Sequence, residues 1–181
     1  MPTQFQNHVE QWKNCEKCSL CKTRKNVVLY RGKIPCDVLF VGEAPGLSEN
    51  VLGQPFVGPA GTLLNQMITQ ALPKDSIIRI GFTNLIACIP FEEDTGEKTK
   101  APPLPSIKAC ADRLKQITKI ASPQVKVLVG KLARKHAADS ETEFIEIPHP
   151  AFILRIQDEF DKQQKIERVI LILRDLFFRL T

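Results

Sequence analysis

The run Asp37-Val38-Leu39-Phe40-Val41 shows no polar alternation and passes directly into Gly42-Glu43-Ala44-Pro45-Gly46. A strand that is apolar on both faces needs cover on both, which marks a parallel sheet held between helices. Two further apolar runs, 77–85 and 125–129, read the same way, and 144–147 reads as a fourth strand. Between and after them lie stretches with helical spacing at 62–72, at 106–121 with Ser106 as its cap, at 131–138 and at 161–180. The segment 26–30 also has strand character and is separated from 37–41 by the turn Arg31-Gly32-Lys33. This alternation predicts an α/β fold of three layers, α/β/α, around a central, mostly parallel four-stranded sheet. A polar, proline-containing surface loop is expected over 90–105, and residues 1–181 read as a single domain with an N-terminal metal-binding appendage.

Length and composition narrow the function classes. A chain of 181 residues, 43% hydrophobic, can bury a sizeable core and is not globally disordered. Its apolar runs, such as 169–173, are far too short to span a bilayer, and residues 1–10 lack the apolar core of a signal peptide. A soluble, cytoplasmic protein without membrane association is expected. Lys and Arg number 25 against 20 Asp and Glu, a formal charge of +5 that favours a polyanionic partner. Six cysteines say more. Cys15, Cys18 and Cys21 form C-x2-C-x2-C, while Cys36, Cys88 and Cys110 are dispersed. In a cytosolic chain clustered thiols point to metal or redox chemistry before disulfides, whereas Cys36, just before a buried strand, reads as a core thiol.

Ligands of open α/β sheets sit beyond the carboxyl ends of the strands. Glu43 and Phe56 follow the first core strand, Asn84 ends the second, and His149 follows the last within Pro148-His149-Pro150. Alone, Phe56 would read as a core aromatic and Asn84 as a turn residue. Together they offer a stacking ring, an amide that both donates and accepts, a carboxylate and an imidazole, a set suited to a planar heterocycle such as a nucleobase. Phe56 would stack on its face, Asn84 would pair with its polar edge, and His149 would hydrogen-bond an oxygen on which charge develops.

Gly42-Glu43-Ala44-Pro45-Gly46, Pro55-Phe56-Val57-Gly58-Pro59-Ala60-Gly61, Thr83-Asn84 and His149-Pro150-Ala151-Phe152-Ile153-Leu154-Arg155 resemble the family 4, iron-sulfur, uracil-DNA glycosylases. Cys15-x2-Cys18-x-Leu20 with Arg24, Val27 and Val28 is similar to the opening of that family, so the likeness runs from about Trp12 to Arg155. The resemblance implies a DNA glycosylase that hydrolyses the N-glycosidic bond of uracil and leaves an abasic site for base excision repair. Its substrate would be uracil-containing DNA, single- or double-stranded, and the protein a monomer. It further implies a 4Fe-4S cluster on Cys15, Cys18, Cys88 and Cys110. From the residues alone four thiolates suit a cluster or zinc, and Cys21 could replace a neighbour.

By the same resemblance Glu43 and His149 are catalytic. His149 would stabilise the leaving base, and Glu43 would position water or balance the charge on the sugar. Gly42, Ala44, Glu49, Phe56 and Asn84 would contact the base, Glu49 by excluding a thymine methyl. The amides of Gly58, Ala60 and Gly61, at a helix start, would hold a phosphate, and the segment ending at Arg155 would wedge into the duplex. Ala44 stands where a water-activating aspartate could have stood. Ile89 replaces an arginine, 89–109 is long, 130–149 is short, and the C-terminal helix matches no motif of the family. Two other functions stay open: action on another deaminated or modified base, and a non-catalytic iron-sulfur protein that binds nucleic acid.

Overall fold

The computed structural model describes residues 1–91 and 99–181; part of the loop expected over 90–105 therefore lies outside the described residues. Five strands form one sheet in the order β1 (Arg31–Gly32), β3 (Ile80–Asn84), β2 (Val38–Gly42), β4 (Val125–Val129) and β5 (Glu143–Ile147). The β2–β3, β2–β4 and β4–β5 pairs are parallel, and β1 is antiparallel to β3. The sheet therefore has five strands rather than the expected four. The added one is a two-residue edge at Arg31–Gly32, where a turn was expected. Residues 26–30 are not a strand, although Val28 N–H donates to Ala87 O at 2.7 Å and the segment stays packed beside the sheet.

Successive side chains of a strand point to opposite faces, and β2 uses both. Val38 and Phe40 join Leu64 and Met67 of α3 (Pro59–Ala71), Ile153 of α6 (Pro150–Leu154), and Val169 and Leu173 of α7 (Glu159–Arg179). Leu39 and Val41 join Trp12 of α1 (Gln4–Trp12), Leu114 and Ile117 of α4 (Leu104–Ala121), and Ala133 of α5 (Lys131–Ala137). Helices thus cover both faces, which gives the three layers expected. Lys126, inside β4, is buried because its ammonium donates to Ala137 O and pairs with Asp139.

Three helices lie outside the sequence expectation: α1, α2 (Leu47–Leu52), and α6 within the stretch 149–155 that reads as loop. α1 opens on a reciprocal cap between Thr3 and Gln6. α2 interrupts the stretch between Gly42 and Gly61 that reads as continuous loop. α4 begins two residues before Ser106, which is buried in its first turn and does not cap it. Among the described residues no helix is long and apolar enough to cross a membrane.

Candidate active site

β2 is the central strand: the chain runs from β2 to β3 on one side and then crosses over to β4 on the other. Its carboxyl end is the switch point at which open sheets form a ligand crevice. There Gly42 stands in register with Asn84 on β3. The missing side chain matters at Gly42: a Cβ would lie 2.5 Å from Phe56 Cζ and closer still to Asn84 Oδ1. Ring and amide thus meet over a bare backbone.

Phe56 is 6% exposed, tilts against Phe82 at 5.7 Å between centroids, and has φ +57°. A left-handed backbone at an aromatic residue persists only where its surroundings hold it. Three side chains do so. The Glu49 carboxylate accepts the amides of Gly46 (3.1 Å), Val57 (2.9 Å) and Gly58 (2.7 Å), which binds α2 to the loop. Arg31 donates to Pro55 O (3.0 Å) and Phe56 O (3.4 Å), and Asn65 Nδ2 donates to Phe56 O (3.2 Å). Gly61 completes the arrangement, since a Cβ there would overlap the Phe56 backbone.

Glu43, after β2, and His149, after β5, meet beside Gly130, the residue that follows β4, the strand between them. A Cβ on Gly130 would lie 2.8 Å from Glu43 Oε1 and 3.1 Å from His149 Cβ, and its φ of +94° also favours glycine. His149 caps α6, its Nδ1 accepting the Ala151 amide at 3.2 Å. With Nδ1 an acceptor, the neutral ring carries its proton on Nε2 and can donate it. Burial, aided by the positive charge of Arg155, lowers the His149 pKa to about 4, so the ring is neutral at pH 7. Burial also pushes Glu43 above the ordinary carboxylate value, against the pull of the Leu132 amide and Arg155.

Glu43, Ala44, Glu49, Phe56, Asn84 and His149 share one open cleft of about 1440 Å³. Gly58, Ala60, Gly61 and Arg155 line it as well, and Gly42 supports its floor from beneath Asn84 and Phe56. Two of the expected residues, Glu49 and Gly58, contact each other. The Glu49 carboxylate is 8% exposed and engaged with three backbone amides, which makes it the organiser of the loop. The Gly58 amide is consumed by that same carboxylate, which leaves Ala60 and Gly61 as the expected phosphate donors.

Behind Asn84 lies a second, small cavity lined by Cys15, Cys18, Cys21, Cys88 and Cys110 together with Arg24 and Arg113. Cys36 is elsewhere, buried at 1% exposure in the core beside Trp12 and Tyr30. Among the described residues no three potential ligands are grouped tightly enough for a single ion. The donor chemistry nevertheless fits an anionic, thiolate-bound group. Arg24 Nη1 and Arg113 Nε are buried without a hydrogen-bond partner, and negative charge at Cys110, Cys88 and Cys15 would favour the Arg113 cation against the burial that lowers its pKa. Arg113 also reaches the first site. Its guanidinium donates to Thr83 Oγ1 (3.1 Å), Leu85 O (3.1 Å) and Asn84 O, clamping the end of β3.

Arg31, Asn65, Arg113 and Gly130 escape a reading of the sequence. Gly130 alone carried a signal, because it ends an apolar strand as Gly42 does. The other three act through partners that folding alone brings near.

The sequence model of the uracil DNA glycosylase superfamily matches residues 30–174. The type-4 uracil-DNA glycosylase of Pyrobaculum aerophilum is 37% identical over 125 residues, 68% of this chain and 59% of that protein. That of Saccharolobus solfataricus is 32% identical over 124 residues, 67% of this chain and 53% of the other. That of Thermotoga maritima is 28% identical over 179 residues, 90% of this chain and 86% of the other. The chain thus spans only between half and three-fifths of the length of the first two relatives. In architecture it is similar to a solution NMR structure from Methanosarcina acetivorans, at 12% identity and a TM-score of 0.52, covering 81% of this chain and 97% of that one.

Proposed function

Because the chain belongs to the uracil DNA glycosylase superfamily, whose model matches 30–174, we propose that it removes uracil from DNA by hydrolysing the N-glycosidic bond. The observation that carries this reading is the convergence of Phe56, Asn84, Glu43 and His149 at one switch point, with Asn84 in register beside Gly42.

A base inside a helix cannot reach such a cleft, so the uracil nucleotide is extruded, at a cost of a few kcal/mol. Phe56 receives its face. The Asn84 amide donates to O4 and accepts from N3–H; cytosine presents the opposite pattern at both positions and leaves buried polar groups unpaired. The C1′–N1 bond breaks with its electron pair moving onto the base, where negative charge gathers at O2. His149 supplies Nε2–H to that oxygen without giving up a proton, which suits a ring that is neutral at pH 7. Glu43 faces the cationic sugar and orients the water that adds to C1′. Its raised proton affinity lets it take the proton that the water loses. Uracil anion and abasic DNA are the products.

Cys15, Cys18, Cys88 and Cys110 would hold a 4Fe-4S cluster, for which Cys21 is a neighbouring alternative. When bound, the cluster supplies negative charge and a cross-link between chain segments. Arg113 then relays that brace to the backbone of Asn84.

Full-length protein mixed with uracil-containing single- and double-stranded oligonucleotides, followed by alkali, should give breaks at uracil and none at thymine or cytosine. Breaks at hypoxanthine or xanthine alone would assign a different base, and silence on every base would reduce the protein to a binding module.

A further inference from the structure

The C-terminal helix brings to the cleft two cations that the proposed reaction does not use. Lys165, Arg168 and Ile172 fall at i, i+3 and i+7 of α7, one stripe of the helix, and all three line the cleft. Val169, beside the stripe, is fully buried among residues of α3 and the sheet, so the stripe is anchored in place. Both cations are exposed, and neither pairs with a carboxylate among the described residues. Arg155 and Lys131 line the same cleft, also without an ion pair among the described residues.

The carboxylates nearby do not cancel this charge. Glu49 is engaged with backbone amides, Glu146 pairs with Arg134 at 3.0 Å, and Glu43 sits inward beside Gly130. A cleft with an acid at its base and unspent cations at its mouth fits a ligand that is polyanionic except at the inserted group. A nucleic acid strand with one base turned out is such a ligand.

We propose that Lys165 and Arg168 hold backbone phosphates of the strand whose base enters the cleft, making α7 a part of the DNA-binding surface. The inference rests on the DNA substrate proposed above and adds an interaction that carries no base specificity. The two residues are three apart, about 4.5 Å along the helix. Their flexible stems can serve one phosphate together or two neighbours.

Anisotropy of a labelled, uracil-free single-stranded oligonucleotide, titrated with the full chain at several salt concentrations, tests this. Lys165→Ala/Arg168→Ala should weaken binding and reduce the slope of log K against log salt by about 0.7 for each phosphate that is no longer neutralised. A charge-retaining pair, Lys165→Arg/Arg168→Lys, should keep the wild-type slope. An unchanged slope in the alanine pair would overturn the proposal, as would an equal loss in the charge-retaining pair. The probe contains no uracil, so the two readings fail separately. A reduced slope in a protein that cleaves nothing would sink the glycosylase reading alone, and an active enzyme with an unchanged slope would sink only the role of α7.

Discussion

Glu43 and His149 approach each other from the ends of different strands across the bare α-carbon of Gly130, whose added Cβ would stand 2.8 Å from the carboxylate and 3.1 Å from the imidazole stem. Gly130→Ala therefore acts on both groups at once. It should lower the single-turnover rate of uracil release by on the order of 100-fold, since displacements near 1 Å carry penalties of that size. The Gly130 backbone, at φ +94° and ψ 160°, lies in a region open essentially to glycine, so the alanine adds about 1–3 kcal/mol of strain, to be read as a lower midpoint in thermal unfolding.

Two groups set the pH dependence. His149 has an ordinary pKa of 6.5 when unfolded and about 4 when folded, so between those values the unfolded chain binds the extra proton. Its contribution to stability is therefore complete above 6.5 and is lost as the pH falls toward 4. Denaturant midpoints should decline across this window, and less so in His149→Asn. Because the proposed reaction needs Glu43 ionised and burial raises its proton affinity, the acid limb of the rate profile should lie above the ordinary carboxylate value of 4.5. Glu43→Gln should flatten that limb and lower the rate by about 100-fold or more.

Asn84→Asp replaces a donor with a charge in a site only 3% exposed. Uracil removal should fall by at least about 1000-fold while far-ultraviolet circular dichroism stays native, as expected when a buried polar match is broken. Full activity in this variant would refute the assigned reading of the base.

Glu49→Gln keeps the shape of the side chain but loses the charge that holds three amides. One oxygen can still accept, so the expected loss is about 1–3 kcal/mol in chemical denaturation. Uracil affinity should fall with it, because the Phe56 loop loses its tie to α2.

Arg113→Met strips the end of β3 of three hydrogen bonds and leaves the thiol cavity without one of its three cations, Lys17, Arg24 and Arg113. A loss of about 3 kcal/mol or more is expected. Visible absorbance of the iron-loaded protein and uracil release should fall together. Chelating the iron from wild-type protein should lower the thermal midpoint in the same direction.

The groups proposed to receive the base were legible in the sequence because strand ends are. An apolar run that stops at a glycine or asparagine marks the sheet edge: Glu43 follows the stop at Gly42 and Phe56 lies in the loop beyond it, Asn84 ends the second run, and His149 follows Pro148 after the last strand. What holds them was not legible. Arg113 acts on residues 28 to 30 positions away, and Arg31 reaches a loop 24 positions on. β1 has only two residues, too few for any periodicity. α2 hides among prolines and glycines, although Gly46 followed three residues later by Glu49 is its cap in plain sight. Thr3 and Gln6 gave a similar signal for α1.

The left-handed backbone of Phe56 has a kinetic consequence. The backbone that carries the ring is held by Glu49, Arg31, Asn65 and the close approach at Gly61, so the receptacle exists before the base arrives. Little ordering remains to be done on binding, and pocket closure is not a slow step. Under the proposed reaction the pace is then set by how often the base leaves its own stack. Uracil opposite guanine, or in an unpaired strand, should be cleared faster than uracil opposite adenine, by a margin that follows the stability of the pair and owes nothing to the enzyme's own motion.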